Sequence, residues 1–192
     1  MAGATTERAV AGTLPEGDVI AILLDQHARI RELFADVRSA TGEHKQQAFD
    51  ELRALLAVHE TGEEMILRPE AAKAAGRREA DARNSEENEA NHVLARLEEL
   101  DVHSAEFDAM IAAFERDVDR HARAEETEEF PAILQACDQR RREKMGSRLR
   151  LAEKVAPTHP HPGAAGSPAK QWTAGPFASL VDRAKDALRT ED

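Results

Sequence analysis

Two stretches of this chain, HETGEEMILRP from His59 and HARAEETEEFP from His121, share one pattern: a His, a Glu four places on, a second Glu directly after it, and a Pro ten places from the His. On a helix, His and Glu four apart stand on one face about 6 Å from each other. One such donor can bind a metal ion terminally while the other reaches across to a second ion. Cys137 is the single cysteine, which excludes an internal disulfide framework and any Cys-based zinc or iron-sulfur site. Imidazole with carboxylate instead suits iron, manganese or zinc. A two-metal site of approximate two-fold symmetry, taking one His-x-x-x-Glu helix from each half, gives the repeat a reason.

The elements that must position these donors are helices. Ala, Glu, Leu and Arg dominate, Tyr is absent and aromatics are 4% of the chain, so helix formers prevail over strand formers. The first segment is predicted from about residue 16 to 39, with Ile20, Leu23, Leu24, Ile30 and Phe34 on the face of His27. The second, about 43 to 68, places Leu52, Leu55, Leu56 and Ile66 beside His59 and Glu63, and Pro69 is read as its end. A third runs from about 77 to 100. The fourth, about 104 to 130, aligns Phe107, Met110, Ile111, Phe114 and Val118 with His121 and Glu125 before Pro131. Short connections force antiparallel neighbours, so the expected fold is all-α, an up-down-up-down four-helix bundle with a C-terminal helical extension. The expected boundaries are a flexible amino terminus over 1–15, the bundle over 16–135 and a basic helical extension over 136–156. A Pro/Gly linker with a short amphipathic helix completes the chain over 157–192. That last helix is expected to dock on a protein partner or on its own bundle.

A buried ionised Glu is costly unless it is paired or coordinates a metal, and here two of them lie one turn from an inward His. The second Glu of each pair, Glu64 and Glu126, is rotated toward a flank. With His27 on the first helix, His59 and Glu63 on the second and His121 and Glu125 on the fourth, the chain resembles the hemerythrin-like cation-binding domain over about residues 15 to 135. That resemblance implies two non-haem iron ions, bridged by the two Glu carboxylates and a solvent-derived oxo or hydroxo group. It also implies a His on the third helix, where His92 is available. The face defined by Val93, Leu97 and Leu100 is centred about 100 degrees from His92 and closer to Glu86 and Glu89. Moreover, shifting His27 by the interval between the two motifs lands on Glu89. Both Glu89 and His92 are therefore kept as ligands, with Glu86 as an outer partner or substitute. His44 and His103 fall at turns and His159 and His161 in the linker, where each is expected to face solvent.

The net charge of -11 opposes binding to nucleic acid. No apolar run is long enough to span a membrane, and a cytoplasmic location is expected. No Gly-rich nucleotide loop or nucleophile elbow is present. The resemblance ranks a binding protein for dioxygen or nitric oxide first, serving storage, delivery or sensing. The alternative is an enzyme that turns over peroxide or oxygen, or oxidises iron in the manner of ferritin-like proteins. Replacing a His ligand with a carboxylate shifts the balance toward that alternative, because carboxylates stabilise ferric iron.

Overall fold

The computed structural model describes residues 2–74 and 76–154; the linker and terminal helix expected over 157–192 lie outside the described residues. Helix α1 spans Ala2–Ala11 and α2 spans Val19–Ser39. α3 (Glu43–Gly62) runs through a π turn (Glu63–Leu67) into α4 (Arg68–Ala74), and α5 (Arg77–Glu98) comes next. α6 (Ala105–Ala124) runs through a second π turn (Glu125–Glu129) into α7 (Phe130–Ala136), and α8 spans Gln139–Glu153. The four rods α2, α3–α4, α5 and α6–α7 form the up-down-up-down bundle.

Local chemistry sets the ends. Gly17 takes a φ of 81°, which a side chain would resist, and Asp18 then caps α2 by accepting from the Ile20 N–H at 3.0 Å. This starts α2 a turn later than the sequence suggested. Ser104 and Asp138 cap α6 and α8 in the same way.

Two expectations are corrected. Residues 2–11, read as flexible, form α1 against α2. The large apolar residue of the stretch, Val10, is exposed, but Ala4 and Ala11 are buried, and Glu7 and Arg8 bond Arg31 and Glu32 of α2. Pro69 does not end its helix. In each π turn a backbone N–H reaches back five residues, from Arg68 to Glu63 and from Phe130 to Glu125. That register already leaves a carbonyl without its usual donor, so a proline in the next position, lacking an N–H, is accommodated. The basic extension is helical, as α8, and is folded onto the bundle. Arg142 pairs with the buried Asp18 at 2.7 Å, and Leu149 lies so close to Gly62 that a Cβ there would collide with it.

The core divides in two. Ile30, Phe34, Leu56, Leu94 and Phe114 belong to one apolar cluster, and Leu23, Leu24, Leu67, Phe130 and Leu149 to the other. On three of the rods the inward His and Glu occur between residues of the two clusters, so the polar centre is sealed at both ends by hydrocarbon.

Candidate metal centre

Three imidazoles point the same nitrogen at the same place. His27 Nε2 lies 3.4 Å from Glu125 Oε2, His59 Nε2 3.5 Å from Glu63 Oε2, and His121 Nε2 3.3 Å from Glu125 Oε1. The other nitrogen of each ring is fixed from outside the cluster. His27 Nδ1 bonds Glu126 at 2.8 Å, His59 Nδ1 bonds Gln26 at 2.7 Å, and His121 Nδ1 bonds Glu86 at 2.9 Å. Since each of those partners offers an oxygen, each Nδ1 donates, and in the neutral ring the lone pair falls on the inward Nε2. Metal-binding histidines are held in this way. Phe130, immediately after the second π turn, stacks on His27 with ring centroids 5.6 Å apart.

The donors fall into two overlapping groups whose atoms lie within 4.8 Å of one another: His27, His59, Glu63 and Glu125, and Glu63, Glu87, His121 and Glu125. Glu63 and Glu125 belong to both and are completely buried. His27 Nε2, both oxygens of Glu63 and Glu125 Oε2 have no hydrogen-bond partner among the described residues. Buried polar atoms are rarely left so, and a cation shared by carboxylate and imidazole would satisfy all four. The donor set fits such an ion.

Electrostatics within the metal-free cluster are strained in the same sense. Burial, reinforced by the charge of Glu125, holds the Glu63 carboxyl well above its usual range. Burial likewise opposes charge on His121, but Glu125 and Glu86 outweigh it and raise its pKa well above normal. Burial raises Glu129 to about 7, although Arg68 works against the rise.

The structure brings together His27, His59, Glu63, His121 and Glu125, and leaves Glu89 and His92 outside. Both are exposed. On α5 the inward face runs through Ala80, Arg83, Glu87, Asn91 and Leu94, all buried. Val93 and Leu100, which guided the sequence reading, are only half-buried and stand to one side. Counting back one heptad from Leu94 would have found Glu87. Glu86 takes the outer position, on His121 Nδ1. Of the two residues expected on a flank, Glu126 stands outside the cluster on His27 Nδ1, whereas Glu64 is buried.

A cavity of about 800 Å³ reaches this centre, with His27, His59, Glu87 and His121 among its walls and Gly3 of α1, Arg31 and Asp119 farther along. No helix among the described residues is long and apolar enough to cross a membrane.

The family model for the hemerythrin HHE cation-binding domain matches residues 18–133. An uncharacterized hemerythrin-like protein of Schizosaccharomyces pombe is 24% identical over 136 residues, covering 69% of this chain and 67% of that protein. No solved structure matches. The matched span contains both His-x-x-x-Glu helices, the α5 carboxylate between them and the His27 helix that completes the donor set, and the chain belongs to the hemerythrin HHE cation-binding domain family.

Proposed function

We propose that the chain holds two non-haem iron ions between Glu63 and Glu125 and consumes small oxygen species, peroxide above all, instead of binding and releasing dioxygen. The observation that carries this reading is Glu87. The third rod contributes a carboxylate where the resemblance called for a histidine, and the centre then offers three carboxylates with three imidazoles. Hard anionic oxygen favours the higher charge of ferric iron, and a centre that prefers to stay oxidised is poorly suited to return dioxygen intact.

Iron bound here would supply the electrons that break an oxygen-oxygen bond. The protein's own part is to hold and shield. His27, His59 and His121 are locked in one tautomer by Glu126, Gln26 and Glu86, so their Nε2 lone pairs need no reorientation. Phe130 and the two apolar clusters exclude bulk water from two ends, leaving the cavity beside His27 and His121 as the approach for a small solute. Hydrogen peroxide can serve as both oxidant and reductant, so its conversion to water and dioxygen needs no further partner.

Full-length protein should be loaded anaerobically with ferrous iron and counted, with about two ions per chain expected from the paired donor groups. Air is then admitted and removed, and peroxide is added at an oxygen electrode. The expected result is a ferric spectrum that does not revert when oxygen is withdrawn, with dioxygen evolved from peroxide. A spectrum that reverts, with peroxide untouched, would assign the chain to reversible dioxygen or nitric oxide binding instead.

A further inference from the structure

Arg68 opens α4 directly after the first π turn, and its side chain is only 5% exposed. It points into the centre. Nη2 lies 3.1 Å from Glu125 Oε1 and 3.8 Å from Glu63 Oε2 and also bonds Glu87 Oε1, while Nη1 bonds Glu129 Oε2 at 2.6 Å. The two oxygens nearest Nη2, Glu87 Oε1 and Glu125 Oε1, also face His121 Nε2, at 3.9 and 3.3 Å. One nitrogen of a permanently charged group thus bonds two carboxylates of the second donor group, Glu87 and Glu125, and lies within ion-pair distance of the third, Glu63. The first group is open by comparison, since His27 Nε2 and Glu125 Oε2 have no hydrogen-bond partner among the described residues.

We propose that Arg68 is the resident cation of the half formed by Glu63, Glu87, His121 and Glu125, and that a metal ion enters this half only by displacing the guanidinium. The His27 and His59 half therefore fills first, and the two ions bind with unequal affinity. This rests on the two-ion reading of the centre. A guanidinium cannot shed its charge as a lysine or histidine could, and at a few ångströms in a poorly polarisable interior its repulsion of a divalent ion is large. Displacement does not require expulsion, because Nη1 can stay on Glu129 while Nη2 swings off Glu87 and Glu125. The cation that blocks the second ion also offsets part of the negative charge of Glu63, Glu87, Glu125 and Glu129 while that ion is absent. Arg68 should for this reason stabilise the metal-free chain and weaken the metal-loaded one.

The test is titration of the metal-free full chain with cobalt(II), counting bound ions by equilibrium dialysis and tracking the melting temperature at each equivalent. Wild type should bind in two steps separated by at least about tenfold, the spacing set by repulsion between the Arg68 guanidinium and the second ion. Arg68→Gln should lower the melting temperature of the metal-free protein, bring the two steps within about threefold of each other, and gain more stability from the second equivalent than wild type does. Arg68→Lys, whose ammonium can shed its proton when buried, should bring the steps closer together than in wild type but less so than Arg68→Gln. Two equal steps in wild type would overturn the proposal even if Arg68→Gln failed to fold. So would a second step that weakens in Arg68→Gln, since the guanidinium would then be supporting the second ion. Failure of wild type to bind any cobalt would instead remove the metal reading beneath it.

Discussion

Glu87 and Glu89 stand two places apart on α5, and that rotation decides which carboxylate can reach a cation: Glu87 is buried against His121 and Arg68, whereas Glu89 is exposed. Replacing Glu87 with Ala is expected to reduce bound iron from about two ions per chain to about one, because only the second donor group loses a member. Glu89→Ala and His92→Ala should retain the full complement, which metal analysis of the purified variants checks. The inward direction of His27, His59, Glu63, His121 and Glu125 was legible because each repeats the phase of large apolar neighbours on its own helix. Glu87 was not, since α5 carries few large apolar residues, and the half-buried Val93 on it and Leu100 beyond its end pulled the apparent face to one side.

At the scale of elements, the paired π turns re-aim every residue beyond the second Glu of each motif. An inserted residue rotates the helix by about 100 degrees relative to a regular one, placing Arg68 and Phe130 over the centre. A wheel of fixed pitch cannot show this. The prolines were the sequence signal, read as helix ends when they mark an altered register. Gly62 precedes the first π turn at the point where α8 crosses it, and a Cβ there would meet the Leu149 side chain. Gly62→Ala should destabilise the protein by about 1–3 kcal/mol through overpacking. Gly62→Ala with Leu149→Ala should lose less than the sum of the single changes, a coupling that a double-mutant cycle in denaturant measures.

For the molecule as a whole, the bundle, its four rods and its antiparallel order could be read from apolar periodicity and short connections. The packing of α1 and α8 could not, because it depends on alanine, glycine and buried ion pairs. Buried carboxylates gathered without metal also give the fold a pH dependence. A carboxyl raised in the folded state contributes stability that is fully present below its ordinary value of 4.5 and lost as pH rises through its folded value, which for Glu129 is about 7. Glu63 and Glu87, raised by burial, and His121, raised by Glu125 and Glu86 against burial, act in the same direction. The pKa of His59 is lowered by burial, and its opposite contribution is complete above its ordinary 6.5. Metal-free protein should therefore be less stable at about pH 8 than at about pH 6.5. Iron should reduce or reverse the difference by occupying the deprotonated donors. Denaturant midpoints at the two values, with and without metal, check the sign.

Helix α1 gives the molecule a practical sensitivity. Glu7 bonds Arg31 Nη1, that nitrogen lies 3.1 Å from Glu126 Oε1, and the same oxygen holds His27 Nδ1 at 2.8 Å, so three polar contacts join the amino-terminal helix to a metal-facing imidazole. Gly3 lines the cavity that leads to the centre. A peptide fused ahead of Ala2, such as a purification handle, would therefore emerge beside the solute's route of entry and pull on the support of His27. Protein carrying such a handle should take up less iron and react more slowly with peroxide than the same protein after the handle is cleaved. Identical iron content and rate before and after cleavage would show that α1 can be displaced without cost to the centre. The choice of expression vector is, for this chain, a choice about its chemistry.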